Sequence, residues 1–271
     1  MTTNSTTAVY DGFRWATGAA GRVLVADELS RLAPHVFTTR QLSFREPTRS
    51  DDLARLAAQF LVSPADIIRT RQVHGKAVIH VRPGSTAESN GVVDTDLPDA
   101  DAIVSTDPHR VIAIQVADCV PVLIADRHAR VVAAVHAGWR GTVAGVVAAT
   151  IDTICDVDVA AGDLVAVVGP SVGPCCYQVG DEVRMAFDRA EGRQCAEWFM
   201  ADGEEHWKLD LWTANVDQLV RSGVPRGAIT VARCCTIDHP AECFSYRRDG
   251  PGTGRLVAAI RLGGHAGHEP A

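Results

Sequence analysis

The chain has 271 residues, 46% of them hydrophobic and 22% charged, enough for one large α/β core or two smaller ones. Its formal net charge of -7 argues against the basic face that nucleic acid or an anionic membrane surface demands, and leaves small molecules as the expected partners. No stretch approaches the roughly 18 consecutive apolar residues of a membrane span, and the opening MTTNSTTAVYDGFRW lacks a basic-then-apolar signal segment, so a cytoplasmic location is expected. Ser50 is expected to cap a helix whose apolar face carries Leu53, Leu56, Ala57, Phe60 and Leu61. Residues 67–72 and 77–81 read as strands joined by a turn, and the polar segment PGSTAESNGVVDTDLP at 83–98 reads as a long exposed loop. Strands over 111–116 and 120–125, a polar turn over 126–130 and a return strand over 131–135 follow. Thr142 is expected to cap a helix with Val143, Val146, Val147, Ile151 and Ile154 on its apolar face. A strand over 164–168 runs into the loop GPSVGP, a later helix carries Leu211, Ala214, Leu219 and Val220 and ends at Gly223, and strands over 229–232 and 256–262 close the chain. Strands outnumber helices, with no repeat and no steady βαβ alternation. The expected fold class is α+β, a single compact domain with mixed β-sheets flanked by helices.

The return strand ends oddly, on His136 followed by AGWRG, which is neither good strand nor good turn filler. With the turn centred near His128, His136 lies opposite Val120 and Cys119 opposite Ala137, which makes thiol and imidazole neighbours at one end of the hairpin. A register shift of one residue would change their faces without separating them. Asp118 beside the thiol, and Gly138 and Gly141 beside the imidazole, let the backbone leave the strands and open a cavity. Such a pair is either an activated nucleophile or part of a metal site, although a buried cysteine near a buried histidine is also common in ordinary cores. The best candidate for a third ligand is His74 in RQVHG, at the expected turn before Gly75. The eight cysteines include no CxxC and two adjacent pairs, Cys175-Cys176 and Cys234-Cys235, which favours free thiols or metal ligands over a disulfide framework. A competing metal constellation is Cys235, His239 and Cys243 beside Cys234, with Pro240 and an irregular ligand order against it; Cys175 and Cys176 read as packing or pocket-lining thiols.

The motifs RQVHG (71–75), DADAIVS (99–105), ADCVPVLIAD (117–126), HAGWRGT (136–142), GPSVGPCCYQVGDEV (169–183), LDLWTANVDQL (209–219) and FSYRRDG (244–250) occur in this order. Together they resemble the laccase-domain family, bacterial proteins once labelled polyphenol oxidases and now assigned purine nucleoside phosphorylase and adenosine deaminase activities. The resemblance covers most of residues 71–262. It implies zinc as cofactor, with His74, Cys119 and His136 as its ligands, and purine nucleosides and phosphate as substrates. It also implies one laccase-like domain over residues 1–271, with a fold similar to the catalytic domain of cytotoxic necrotizing factor, a cysteine-dependent deamidase. FTTR (37–40) fits the pattern, but the family's Gly-Gly-x-Ser and Leu-Asn-Leu-Gly stretches are replaced by QLSFREPTRSDD. This atypical, shortened segment near 41–52 bears on activity if it helps to close the substrate pocket.

A zinc site with three protein ligands leaves a fourth position for water, which the metal acidifies to a pKa of about 7, and attack on carbon six of adenosine would release ammonia. Phosphorolysis asks instead for cationic donors to phosphate and for stabilisation of a ribosyl cation. Arg140, just past the zinc histidine, is the first candidate, with Arg40, Arg71 and Arg248 behind it as substrate-binding residues; an isolated arginine is more often a solvated surface charge. Asp118 completes a catalytic set of Cys119, His136, Arg140 and Asp118, either orienting a ligand, moving a proton or serving the backbone as an acceptor. Two other classes compete. A copper polyphenol oxidase would suit a thiolate and two imidazoles, yet none of the ten histidines forms a His-x-His motif. A metal-free cysteine hydrolase, or a non-catalytic binding protein of the same fold, is the other. Nothing in the pattern points to a protein partner.

Overall fold

A computed structural model of the chain describes residues 11–84 and 97–263, so most of the loop expected over 83–98 lies outside the described residues. Strands β1 (Phe13–Gly18), β2 (Gly21–Ala26), β3 (His35–Thr38), β4 (Ile67–Ile68), β7 (Val111–Val116) and β15 (Leu256–Arg261) form one sheet in the order β1-β2-β3-β15-β7-β4. Strands β5 (Val78–Val81), β6 (Ala102–Ser105), β8 (Val120–Asp126), β9 (Val132–Ala137), β10 (Leu164–Val168) and β14 (Ile229–Val231) form a second, in the order β14-β10-β8-β9-β6-β5. A small third sheet holds β11 (Gln178–Gly180), β12 (Phe199–Ala201) and β13 (His206–Leu209). Most neighbours are antiparallel, while β4/β7, β5/β6 and β10/β14 are parallel, so both large sheets are mixed. The helices are α1 (Arg49–Gln59), α2 (Trp139–Ala144), α3 (Val146–Cys155), α4 (Asp181–Glu191), α5 (Leu211–Arg221) and α6 (Tyr246–Asp249). No helix among the described residues is long and apolar enough to cross a membrane.

Alternation along the strands sorts the side chains into layers. Leu123, Ala125, Val132, Ala134, Val165 and Val167 of the second sheet pack against Ile112, Ile114, Val116, Leu256, Ala258 and Ile260 of the first. The intervening Val122, Ile124, Ala133, Val135, Ala166 and Val168 face the opposite way, onto Val147 and Ile151 of α3, Phe187 of α4 and Leu211 and Leu219 of α5. On the far side of the first sheet, Val111, Ala113, Val257 and Ala259 meet Leu56 and Ala57 of α1 together with Leu42 and Phe44. The result is a four-layer stack of helix, sheet, sheet and helices. Strands covered on both faces lose their polar alternation, which is why VVAAV and VLIA read as unbroken apolar runs.

Local differences from the sequence-based expectations have identifiable causes. The β8–β9 hairpin pairs Pro121 with His136 and Val120 with Ala137, one residue away from the expected register. Its turn is a four-residue loop closed by the Asp126 N–H donating to the Val131 carbonyl, with Ala129 left-handed, so it is centred between His128 and Ala129. The helix expected from Thr142 begins at Trp139 with Gly138 as N-cap, and a left-handed Gly145 divides it into α2 and α3. Thr142 lies inside the first of these, its hydroxyl donating to the Gly138 carbonyl. Helix α1 starts after Thr48, not at Ser50, because the buried Asp52 carboxylate accepts the N–H groups of Ser43 and Phe44 and the Thr48 hydroxyl. Leu61 falls past the helix end in a left-handed conformation and is 91% exposed, not part of the apolar face. Strand β4 covers just two residues and belongs to a different sheet from β5. Residues 69–77 are therefore a crossing between sheets and not a hairpin turn.

One buried titratable group in this frame carries a pH signature. The His35 ring accepts the Ala26 N–H at Nε2 and donates from Nδ1 to the Ala33 carbonyl; burial holds its pKa down at about 4 against the opposing Ala33 bond. The native ring stays neutral between pH 6.5 and 4 while the unfolded chain takes up a proton, so this contribution to stability is full above pH 6.5 and declines as the pH falls towards 4. Urea unfolding should show His35 removing about 2 kcal/mol between pH 7 and pH 5. A His35→Gln variant, with an acceptor and a donor but no titration, should lack that component of the pH dependence.

Candidate active site

Three chain segments deliver the three expected metal ligands to one place. His74 rides on the 69–77 crossing with a positive φ of 61°, a conformation that histidine tolerates better than most residues. Cys119 immediately precedes β8, and His136 is the penultimate residue of β9. Asp101, just before β6 and fully buried, organises them. Its carboxylate accepts the backbone N–H groups of Val73 (3.2 Å), His74 (2.9 Å) and Gly75 (2.7 Å) and the Nδ1–H of His136 (2.8 Å). Burial alone would raise the Asp101 pKa; the His136 imidazole and the Gly75 and His74 N–H groups outweigh it and hold the carboxylate ionised. The same residue's carbonyl accepts the His136 N–H at 2.8 Å, so β6–β9 pairing and ring orientation are fixed together.

With the Nδ1 proton committed to Asp101, the opposite nitrogen of His136 is left for Cys119 or a metal. The donor atoms of His74, Cys119 and His136 all lie within 4.8 Å of one another. Cys119 Sγ is 3.9 Å from His74 Nε2, and the two imidazole rings meet edge to face at 4.9 Å. Burial opposes ionisation of the Cys119 thiol, but His136 and His74 overcome it and bring its pKa down to about 6. Burial likewise opposes charge on His136, and Cys119 and Asp101 reverse it, raising the ring to about 9. Gly138 has ordinary extended angles, so its role is space and not a sharp bend. A β-carbon there would sit 2.8 Å from Cys119 Sγ and 3.2 Å from His74 Cδ2, closer than packing permits. The cluster is a cradle that fits a zinc ion: three nitrogen and sulfur donors, one imidazole oriented by a carboxylate, and a missing side chain above the thiol.

The cluster opens into a cleft of about 640 Å³ whose lining includes Arg69, Arg71, Arg140, Arg247 and Arg255, with the Tyr177 and Tyr246 rings. Arg140 stands in the first turn of α2, exposed, with its guanidinium 4.3 Å over the Trp139 ring. Arg71 also lines the cleft and pairs with Asp99, which raises the arginine's pKa. Asp118 reaches the cleft too, at a positive φ of 90°, but its oxygens are committed to the Thr236 hydroxyl at 2.6 Å and the Arg247 N–H at 2.7 Å. It therefore fixes the cleft wall.

Two expected substrate contacts lie outside the cleft lining. Arg40 hydrogen-bonds the Pro240 carbonyl and stacks 5.1 Å over Phe244. Arg248 spends its guanidinium on the carbonyls of Thr236, Ile237 and Cys243 and on Asp249. In the short helix α6 it is the preceding residue, Arg247, that turns into the cleft. The Cys235, His239 and Cys243 constellation does not assemble: His239 Nδ1 bonds the Cys235 carbonyl at 2.9 Å, Cys243 faces Cys234, and the Cys235 thiol turns towards Cys175 and Cys176. Sequence reasoning passed over Asp101, Arg69, Arg247, Arg255 and the two tyrosines. Only Asp101 left a usable signal, since a metal-bound histidine is usually oriented by a carboxylate and DADAIVS supplies one.

The chain is similar to several known proteins. The sequence profile of the family described as "Multi-copper polyphenol oxidoreductase laccase" matches residues 48–263. The purine nucleoside phosphorylase of Deinococcus radiodurans is 36% identical over 245 residues, which cover 84% of this chain and 89% of that protein. Adenosine deaminase RL5, from an unknown prokaryotic organism, is 34% identical over 207 residues, covering 76% and 78%. Among solved structures, the hypothetical protein YfiH of Bacillus licheniformis superposes with a TM-score of 0.85 at 28% identity, over 94% of this chain and 100% of that one. With the profile spanning most of its length and relatives above 30% identity across more than two thirds of it, the chain belongs to the multi-copper polyphenol oxidoreductase laccase family.

Proposed function

We propose that the chain is a zinc-dependent purine nucleoside enzyme that phosphorolyses nucleosides of the adenosine, inosine and methylthioadenosine type and deaminates adenosine in the same cleft. In this reading residues 1–271 act as one domain, akin to the cytotoxic necrotizing factor catalytic fold, in the reducing cytoplasm, where Cys119 stays reduced. The observation that carries it is the His74, Cys119 and His136 cluster opening onto a cleft lined by five arginines. The names of the similar proteins, purine nucleoside phosphorylase and adenosine deaminase, support the substrate class. A multicopper oxidase has less to support it, because among the described residues just one cluster of three or more donors contains histidine, and it offers two.

Zinc, when bound by His74, Cys119 and His136, supplies the Lewis acidity that activates water for deamination. The chain's own residues do the rest. Asp101 keeps the His136 proton on Nδ1 and fixes the ring's position. In phosphorolysis, phosphate attacks the ribosyl carbon as its bond to the purine nitrogen breaks, and the cleft arginines hold the oxyanion and its developing contacts. Arg140 is less committed than three of them: Arg71 is paired with Asp99, Arg247 donates to the Gln178 carbonyl, and Arg255 donates to the carbonyls of Thr253 and Gly254. Burial, followed by the negative charge of Cys119, pushes the Tyr177 pKa up, so its phenol remains a hydrogen-bond donor at neutral pH. The exposed Tyr246 ring at the mouth offers a face for the purine.

Three outcomes test this reading. Asp101→Asn should weaken zinc binding roughly 10- to 100-fold in a chelator competition, because the histidine loses its anionic partner; unchanged affinity would remove Asp101 from its positioning role. Product chromatography of His136→Ala should show phosphorolysis and deamination failing together, whereas retained phosphorolysis would assign the two reactions to separate sites. Arg140→Met should lose roughly tenfold to more than a hundredfold in phosphorolysis, equivalent to about 1.5 to 3 kcal/mol for a charge-assisted contact. Deamination, which uses water, should fall less. Equal losses in the steady-state kinetics of both reactions would mean that Arg140 serves the nucleoside or the fold.

A further inference from the structure

A second group of soft ligands lies in the loops behind the cleft. The chain leaves β10 through residues 169–176 and leaves β14 through residues 232–238, and the two loops run on side by side as those parallel strands do. Ser171 pairs with Cys235 in a parallel bridge, the Ser171 N–H donates to the Cys234 carbonyl at 3.1 Å, and the Thr236 N–H donates to the Ser171 carbonyl at 3.0 Å. This register sets Cys175 and Cys176 against Cys235 and Asp238, the last of these 63 and 62 residues further along the chain.

We propose that Cys175, Cys176, Cys235 and Asp238 bind a second metal ion, a thiophilic divalent cation of the zinc type, as a structural clamp separate from the histidine-containing site. The four donor atoms all lie within 4.8 Å of one another. Cys175 Sγ is 3.1 Å from Asp238 Oδ2 and Cys176 Sγ is 3.2 Å from Oδ1. Zinc bonds of about 2.3 Å to sulfur and 2.0 to 2.2 Å to oxygen give tetrahedral edges of roughly 3.5 to 3.8 Å, so small side-chain movements complete the tetrahedron. Three thiolates and one carboxylate make a closed set of the structural kind, with no position kept for water.

One backbone donor and a closely packed glycine border the cluster. The Gly173 N–H donates to Cys235 Sγ at 3.3 Å, the kind of outer contact that orients a metal-bound sulfur. Position 173 has no room for a side chain, since a β-carbon would lie 2.7 Å from the Trp212 ring and 3.2 Å from Cys175 Sγ. Cys235 is buried and Cys175 exposed, so the site is anchored in the core and reachable from solvent. Binding releases three thiol protons to solvent and transfers no electrons. Its effect would pass directly to the cleft: Tyr177 follows Cys176, and Thr236, which holds Asp118, follows Cys235.

This assignment does not depend on the proposed activity, and metal stoichiometry tests it without a turnover assay. Protein purified with zinc under reducing conditions should carry two ions per chain, and Cys119→Ala should keep one. Cys175→Ser and Asp238→Asn, both at exposed positions, should lower the wild-type content from two ions to one while the Cys119 site stays loaded. Cobalt added to Cys119→Ala should give strong thiolate-to-cobalt charge-transfer absorption that is lost on adding Cys175→Ser. A wild-type content of one ion that Cys175→Ser leaves unchanged overturns the proposal. So does recovery of any two of the three thiols as a disulfide from the reduced, zinc-supplied protein, since an oxidised pair cannot ligate as thiolates.

Discussion

The site is organised around a single buried carboxylate. A charge in the core is costly unless its oxygens are fully engaged, and Asp101 meets that condition by drawing in three consecutive N–H groups and one imidazole. Each of those bonds is also a constraint on something else. The three amides hold the crossing between the two large sheets in the turn that lifts His74, and the imidazole bond fixes the tautomer of His136. Cys119 then ionises between two histidines already in place, in the manner of other cysteines activated by imidazole.

Around this centre the fold separates rigidity from chemistry. The two sheets are covered on both faces, and the arginines and tyrosines that line the cleft stand on connections and on the short helices α2 and α6. Asp118 exemplifies the division. Its left-handed backbone brings it to the cleft, yet both carboxylate oxygens tie down neighbouring segments, one through Thr236 and one through the N–H that begins the α6 turn. Arg248 behaves similarly, gathering three carbonyls and Asp249 beneath the cleft while Arg247 takes the exposed position.

The central strands were legible because burial on both faces leaves long apolar runs, and the Cys119–His136 proximity followed from hairpin pairing even though the register was one residue off. Residues 164–168 were recovered in full for the same reason. The three short strands of the small sheet were not visible. Their half-exposed side chains leave no periodic pattern, as in Phe199–Ala201 and His206–Leu209. For Asp101 the carboxylate was visible in DADAIVS but its partners were not: they stand 27 and 35 residues away, and no local propensity encodes a carboxylate's distant donors. The cysteine cluster is a similar case. Spacing linked Cys235 to His239 and Cys243, whereas the parallel course of two loops links it to residues some sixty positions earlier.

The segment over 41–52 shapes the cleft without touching it. Leu42 and Phe44 are buried against the outer face of the first sheet, Arg45 grips the carbonyls of Pro251 and Thr253, and the Ser43 carbonyl receives the Arg255 N–H. On the cleft side the hydrogen bonds among these attachments use main-chain groups: the carbonyls of Pro251 and Thr253 and the N–H of Arg255. The Arg255 side chain can be exchanged while its backbone stays seated on Ser43, so the chemical character of this rim and its anchorage are separate design variables.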